Sequence, residues 1–462
     1  MSDSWKEKAA KTSKWLKDNI NLNKREKLLS EHACKSKDAI RLETSKKGND
    51  NGTNNWLSPY SADIDKIINN VFYNRYADKT QVFSFMENDD ITRRATHVQY
   101  VARIAYKIGD ALNLNTDLIQ AIALGHDTGH TPFGHAGEEY LSDLYYKHAQ
   151  KYFNHNVHSV HALKDIAWCN LTIQTYDGIL YHNGEDIPAN GELKPDIKRK
   201  TLWRDSESAK NALNNELDNC YTKRIKILDK NGREKQKAFY KDKTAATLEG
   251  CVVRVSDILA YVYKDRQDAL KCKYLQFDDV KQLARDEKPD ITPAWLIVPT
   301  ITNDIIMNSY GKDYIKISPE YCQLLSDMKD HNNDRIYKRL DEIIENPVKH
   351  IIETVYEKER ELLLKAGNDI EKIKDTAIFK HHLSHPLIIQ SNFNSYNSFM
   401  KTKDPKVLEY RFDLEKKVDD LVVDYIASMT DDYLIQIYKK LVGEKDDYYK
   451  KAMQLYDSNK LF

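Results

Sequence analysis

The chain has 462 residues, and its 71 Lys+Arg equal its 71 Asp+Glu, so the net charge gives no whole-molecule attraction for nucleic acid or an anionic membrane. With only 15 Gly and 11 Pro, about half of ordinary usage, turn-rich β architectures are disfavoured and helices are the expectation. The six cysteines never stand at CxxC spacing and no apolar run nears the ~18 residues of a spanning helix, which points to a soluble, cytoplasmic protein without membrane contact.

Residues 1–55 read as a Lys-rich helical extension, peripheral to the body, that ends in the flexible junction SKKGNDNGTNN. Residues 56–185 form the first part of a helical core. Val98, Val101, Ala102, Ala105, Ile108 and Leu112 recur at three- and four-residue steps, which predicts an amphipathic helix over 95–112. A second helix is predicted over about 116–126, carrying Leu118, Ile119, Ile122 and Ala123. Residues 186–246 are polar and charged and read as an insertion, with a hairpin at RIKILDKNGREKQKAFY turning at Asn231-Gly232. Helical spacing returns at 247–270 with Leu248, Val252, Val255, Ile258, Leu259 and Val262, and 247–345 completes the core. Residues 346–462 form a C-terminal helical region with amphipathic stretches at 351–365 and 418–441. The fold class is mainly α with a small β-hairpin insertion.

Histidine is unevenly placed: seven of the fifteen fall between positions 126 and 161. The tract HDTGHTPFGHAGE (126–138) ends an apolar helix and then turns through Gly129, Pro132 and Gly134, residues that a helix interior does not tolerate. Its polar groups are therefore presented on a folded loop. His126 and Asp127 suit one divalent metal, offering an imidazole nitrogen and a carboxylate oxygen. His97 is a third candidate ligand, because helices joined by a short connection pack antiparallel and bring the start of one near the end of the next. Asp257 interrupts an apolar helix and is a fourth; with Tyr261 and Asp265 it lines one helix face at four-residue steps. Two weaker clusters read as bland: HHLSH (381–385) as capping or surface histidines, and Lys198-Arg199-Lys200 as a solvent-exposed basic triplet.

These residues resemble the HD-domain superfamily and, within it, the deoxyguanosine triphosphate triphosphohydrolase (dGTPase) family. The likeness runs through KTQVF (79–83), RRATHVQYVARIA (93–105), HDTGHTPFGHAGE (126–138), FNHNVHS (153–159), LTIQTYDGILYHNGE (171–185), VSDILAYVYKD (255–265) and DYIASMTDDY (424–433). Position by position, the resemblance implies His97, His126, Asp127 and Asp257 as ligands of one divalent ion, with Mn, Mg, Co, Ni and Fe all suited to such a mixed N/O set. It implies His135 with Glu138 as a catalytic pair, and His130 and His155 as further histidines facing the triphosphate. Tyr261 would pack against the deoxyribose, Asp265 and Gln81 would bond its 3′-hydroxyl, and Arg94 would contact phosphate. Ser256 departs from the family's usual Ala before Asp257. The implied reaction is dGTP plus water to deoxyguanosine plus tripolyphosphate, controlling deoxynucleotide pools, in a homo-oligomer, commonly a hexamer. A broad dNTPase is one alternative. Another is a nucleotide-sensing or single-strand-binding regulatory oligomer, with nucleic acid held in a groove formed on assembly.

Overall fold

The computed structural model describes residues 26–43, 57–86, 88–183, 188, 190–228, 234–273, 294–367, 369–380 and 414–459, with short pieces at 11–12, 14–16 and 22. The Asn231-Gly232 turn and the 381–385 histidines lie outside them.

The first layer is built from helices with apolar stripes. Helix α1 (Pro59–Ile68) is capped by Ser58, whose side chain accepts from the Ser61 N–H. Helix α2 (Arg94–Ala111) buries Val98, Val101, Ile104, Ala105 and Ile108, and α3 (Thr116–Gly125) follows after a short turn, capped by the Asn115 side chain. The sequence periodicity placed both within a residue or two. Helices α4 (Gly134–Ala149), α5 (His155–His161) and α6 (Ile173–Leu180) follow. Residues 190–246 are not an appendage on this body. They hold a two-residue strand β1 (Glu192–Leu193), the helix α7 (Ser206–Thr222) and the hairpin of β2 (Arg224–Leu228) with β3 (Glu234–Ala238), antiparallel with Arg224 opposite Ala238. Leu193, Trp203, Leu213, Leu217 and Cys220 join the main core, each fully buried large apolar side chain contributing roughly 1.5–3 kcal/mol. Arg199 corrects the reading of an exposed triplet: it is buried, Nε donates to Asp177 Oδ1 at 2.7 Å, and the guanidinium lies 3.8 Å from the Tyr181 ring centroid.

Helix α8 (Leu248–Lys271) is mostly buried and packs against α2, α3 and α6. Then come α9 (Ala294–Ser309), the strand β4 (Ile315–Lys316) pairing with β1, α10 (Pro319–Asn332) and the long α11 (Lys338–Ala366). The stretch expected over 418–441 is two helices, α12 (Leu414–Ala427) and α13 (Asp431–Val442), because Thr430 caps a new start by accepting from the Tyr433 N–H. The last helix is α14 (Asp447–Asn459). Faces of α4, α11, α12 and α13 form a second apolar core, and the 126–133 loop lies where the two cores meet. The N-terminal segment is less peripheral than expected. Ala33, Cys34 and Leu42 are buried in the main core, and the Arg41 guanidinium bonds Asp63 at 2.8 Å. Among the described residues no helix is long and apolar enough to cross a membrane.

Candidate active site

The end of α3 and the start of α2 meet, as their short connection requires: the His97 and His126 rings are 5.7 Å apart. Helix α8 brings the third strand of donors, and His97 Nε2 lies 3.0 Å from Asp257 Oδ1. His126 closes α3, where its Nδ1–H donates to the Ala123 carbonyl at 2.7 Å, so Nε2 is left facing the carboxylates. That Nε2 is buried without a hydrogen bond among the described residues and stands 3.7 Å from Asp127 Oδ1 and 3.8 Å from Asp257 Oδ1. Two donors bound at about 2.1 Å to one ion lie about 3.0 Å apart at right angles and about 4.2 Å apart when opposed. The 3.7 and 3.8 Å spacings at His126 Nε2 are too long for hydrogen bonds and, with the 3.0 Å His97–Asp257 contact, fit a shared cation. Burial alone would raise the Asp127 carboxyl, yet His126 and Arg94 hold it well below the usual carboxylate range. Burial also works against ionised Asp257, and bonding to His97 with the charge of His126 outweighs it. Both acids are therefore ligand-ready anions near neutral pH. The donor set fits a divalent metal.

The loop that follows is fixed by close backbone approach. A Cβ at Gly129 would fall 2.2 Å from the Ser159 nitrogen, and one at Gly137 would fall 1.9 Å from the Pro132 oxygen. Gly129 N–H donates to Ser159 Oγ at 2.9 Å, and Phe133 N–H donates to Asp431 Oδ1 at 3.1 Å. Lys79 is buried, with Nζ donating to the His130 and Ala427 carbonyls, the latter at 2.8 Å. Glu138 is held chiefly by His155 rather than by His135. Its oxygens accept from the His155 backbone N–H and Nδ1–H, each at 2.8 Å, whereas His135 Nδ1 stands at 3.3 Å. The reason is the start of α5, whose first N–H groups have no helical partner and take the carboxylate. His130 stacks on His155 with ring centroids 4.5 Å apart, while His135 is exposed, its side chain 74% accessible. Burial and then the Arg94 charge keep the His130 imidazole neutral, its pKa well below the usual value.

Arg94 is buried, with Nη1 on Asp127 Oδ2 and Nη2 donating to the Gln81 carbonyl at 3.3 Å. Gln81 Oε1 is itself buried without a partner among the described residues. Asp257, Tyr261 and Asp265 share a face of α8, and Asp265 Oδ2 accepts from the Tyr337 hydroxyl at 2.7 Å. Burial pushes the Asp265 carboxyl up to about 7. Ser256 turns away: its hydroxyl donates to the Val252 carbonyl of its own helix at 2.8 Å. His148, His158 and His161, part of the same histidine-rich segment, serve packing instead, facing Glu357 and Asp424.

One residue of the pocket escaped the sequence reading. His182, just past α6, lies with Nε2 3.8 Å from Asp127 Oδ1 and its ring 4.7 Å from His126. Burial, then His126 and His155, lower its pKa to about 3, so the ring is neutral. It sits inside the stretch LTIQTYDGILYHNGE, but no local spacing links a lone histidine at a helix end to an aspartate so far upstream.

Residues 94–261 match the HD domain family model, a span that holds all four candidate metal ligands. Curated relatives extend the likeness to most of the chain. A deoxyguanosinetriphosphate triphosphohydrolase-like protein of Caldanaerobacter subterraneus is 28% identical over 429 residues, covering 90% of this chain and 92% of the relative. One of Rickettsia bellii is 25% identical over 413 residues, covering 84% and 92%. A third, of Roseobacter denitrificans, is 31% identical over 233 residues, covering 49% of this chain and 50% of its own length.

Proposed function

We propose that this HD-domain chain, related over most of its length to dGTPase-like proteins, is a metal-dependent phosphohydrolase that splits dGTP into deoxyguanosine and tripolyphosphate. The observation that carries the reading is the meeting of His97, His126, Asp127 and Asp257, with the unpartnered His126 Nε2 at 3.7 Å and 3.8 Å from the two carboxylates. A divalent ion bound there supplies Lewis acidity to a phosphoryl oxygen and acidifies a coordinated water. The chain's own groups supply the rest. The Ala123 carbonyl fixes the His126 tautomer, and Arg94 orients Asp127 by occupying its second oxygen.

Attack of water on the α-phosphorus breaks the bond to the 5′-oxygen, which must leave with a proton. His135, exposed at the pocket mouth and steadied by Glu138 at 3.3 Å, gives that proton. His130 and His155 face the triphosphate, Tyr261 packs on the deoxyribose, and Asp265 with Gln81 bonds its 3′-hydroxyl.

The test is metal-stripped protein incubated with each dNTP and each of Mn, Mg, Co, Ni and Fe, following deoxynucleoside and intact tripolyphosphate. Turnover of dGTP only with added ion, yielding tripolyphosphate, is expected. Release of pyrophosphate or single phosphates, or turnover that ignores chelator, overturns the reaction; equal turnover of all four dNTPs makes it a broad dNTPase.

A further inference from the structure

We infer that Asp431, the first residue of α13, is a positioning residue for the reaction: it holds Phe133 in a left-handed backbone conformation and so aims His135, two residues on, at the pocket mouth. The role of His135 comes from the phosphohydrolase reading above, on which the inference rests. The turn that leads into α4 is strained. Pro132 is followed by Phe133 and Gly134, both with positive φ, 60° and 58°. A left-handed residue after a turn proline is ordinarily glycine, because a Cβ there crowds the next carbonyl. Phe133 is instead a bulky side chain, 2% exposed, and a residue of that kind keeps such a conformation only where its surroundings over-determine it. Two contacts do so. The Phe133 N–H donates to Asp431 Oδ1 at 3.1 Å, and its ring stacks on Phe85 with centroids 5.2 Å apart. Phe85 is itself left-handed, φ 62°, and meets the Tyr456 ring of α14 edge-on at 5.0 Å. The Tyr456 hydroxyl donates to Asp432, so neighbouring acids at the start of α13 hold both the backbone and the aromatic stack.

Removing the Asp431 carboxyl leaves a buried N–H unpaired and lets Phe133 relax toward negative φ. Such a rotation swings His135, because the direction of the chain there follows from the dihedrals of Phe133 and Gly134. On the other flank of the turn Lys79 Nζ bonds the His130 and Ala427 carbonyls, so the loop is tied to 427–431 at both ends. The metal ligands lie outside this grip. His126 is fixed by the Ala123 carbonyl, and Gly129 N–H is fixed by Ser159 Oγ at 2.9 Å. Loss of Asp431 therefore disturbs proton delivery and spares the metal centre. Burial opposes ionisation of Asp431, and the oxygen of an amide of the same shape accepts an N–H equally well.

The experiment compares wild type, Asp431→Ala and Asp431→Asn as Mn-loaded full chains, by amide hydrogen–deuterium exchange and by steady-state hydrolysis of dGTP. In Asp431→Ala the 130–136 backbone should exchange at least about tenfold faster while 117–127 keeps its protection. Its kcat should fall at least about tenfold, with KM and Mn affinity within about threefold of wild type, because His135 acts in the transition state. Asp431→Asn should restore both the protection and kcat. Should Asp431→Ala not fold, Asp431→Ser takes its place, since its hydroxyl suits a helix start and is too short to reach Phe133. Unchanged exchange at 130–136 overturns the inference whatever the activity. So does a loss spread evenly over kcat, KM and Mn affinity, which marks general disruption, and so does an Asp431→Asn protein that behaves as Asp431→Ala. A wild type that turns over no dNTP removes the phosphohydrolase reading and the role of His135 with it, while the exchange comparison still decides whether Asp431 holds the loop.

Discussion

Gly129 has no room for a side chain: the nearest atoms to a Cβ there are backbone, the Ser159 nitrogen at 2.2 Å and the His158 carbonyl carbon at 2.4 Å. Backbone cannot swing aside as a side chain can, so Gly129→Ala must move the loop that carries His130 and adjoins Asp127. Because displacements of about 1 Å at a reacting centre cost around a hundredfold, kcat/KM for dGTP should fall at least tenfold and Mn affinity should weaken with it. Wild-type kinetics in that variant would show that the loop tolerates the shift. Ser256 gives the opposite expectation. Its hydroxyl is satisfied by Val252 and points away from the carboxylates, so Ser256→Ala should leave metal affinity unchanged and alter stability by within about 0.5 kcal/mol. Tyr261 shares the α8 face with Asp257, and Tyr261→Ala should relax discrimination between dGTP and GTP; unaltered selectivity would remove it from the sugar subsite.

At the scale of elements, α2, α3 and α8 were legible because each carries an unbroken apolar stripe, and their mutual packing is what brings His97, His126 and Asp257 together. What the sequence concealed was contact without periodicity. The break at 428–430 hides inside continuous apolar spacing, and α7 hides in a segment whose stripe is only Ala209, Leu213, Leu217 and Cys220. The ties to the 126–133 loop, directly from Asp431 to Phe133 and from the Ala427 carbonyl through Lys79 to the His130 carbonyl, are likewise invisible until the chain folds, although all these residues lie in stretches that resemble the dGTPase family. Helix α11 carries a separate consequence for pH. Glu359 is 1% exposed, its Oε2 has no partner among the described residues, and burial raises its carboxyl to about 7. Below the unfolded pKa of about 4.3 both states hold the proton and no penalty exists. As pH rises to about 7 the unfolded chain ionises while the folded one does not, so stability falls, by about 1.4 kcal/mol per unit at most. Above that the loss is complete. Glu359→Gln should therefore melt higher than wild type at pH 8 and differ little at pH 4; a melting difference independent of pH would show that Glu359 is not the titrating group.

For the whole molecule, the candidate centre is a cross-link between segments far apart in the chain. Its donors come from the start of α2, the end of α3 and the middle of α8, and the carboxylates of Asp127 and Asp257 are gathered around the same imidazoles. An unfolded chain cannot assemble that set, so an ion that binds the native state shifts the unfolding equilibrium by mass action. At free Mn a hundredfold above its dissociation constant the gain is about 2.7 kcal/mol, which at this chain length corresponds to a rise in Tm of a few degrees. Chelator-treated protein should thus melt a few degrees below the Mn-loaded form, and the gap should close in His97→Ala. Protein concentration must be held constant in these scans, because the homo-oligomer implied by the family resemblance would itself make Tm concentration-dependent. A wild-type Tm indifferent to Mn would mean that the four side chains are held by packing alone, and an equal Mn response in His97→Ala would move the ion off this centre.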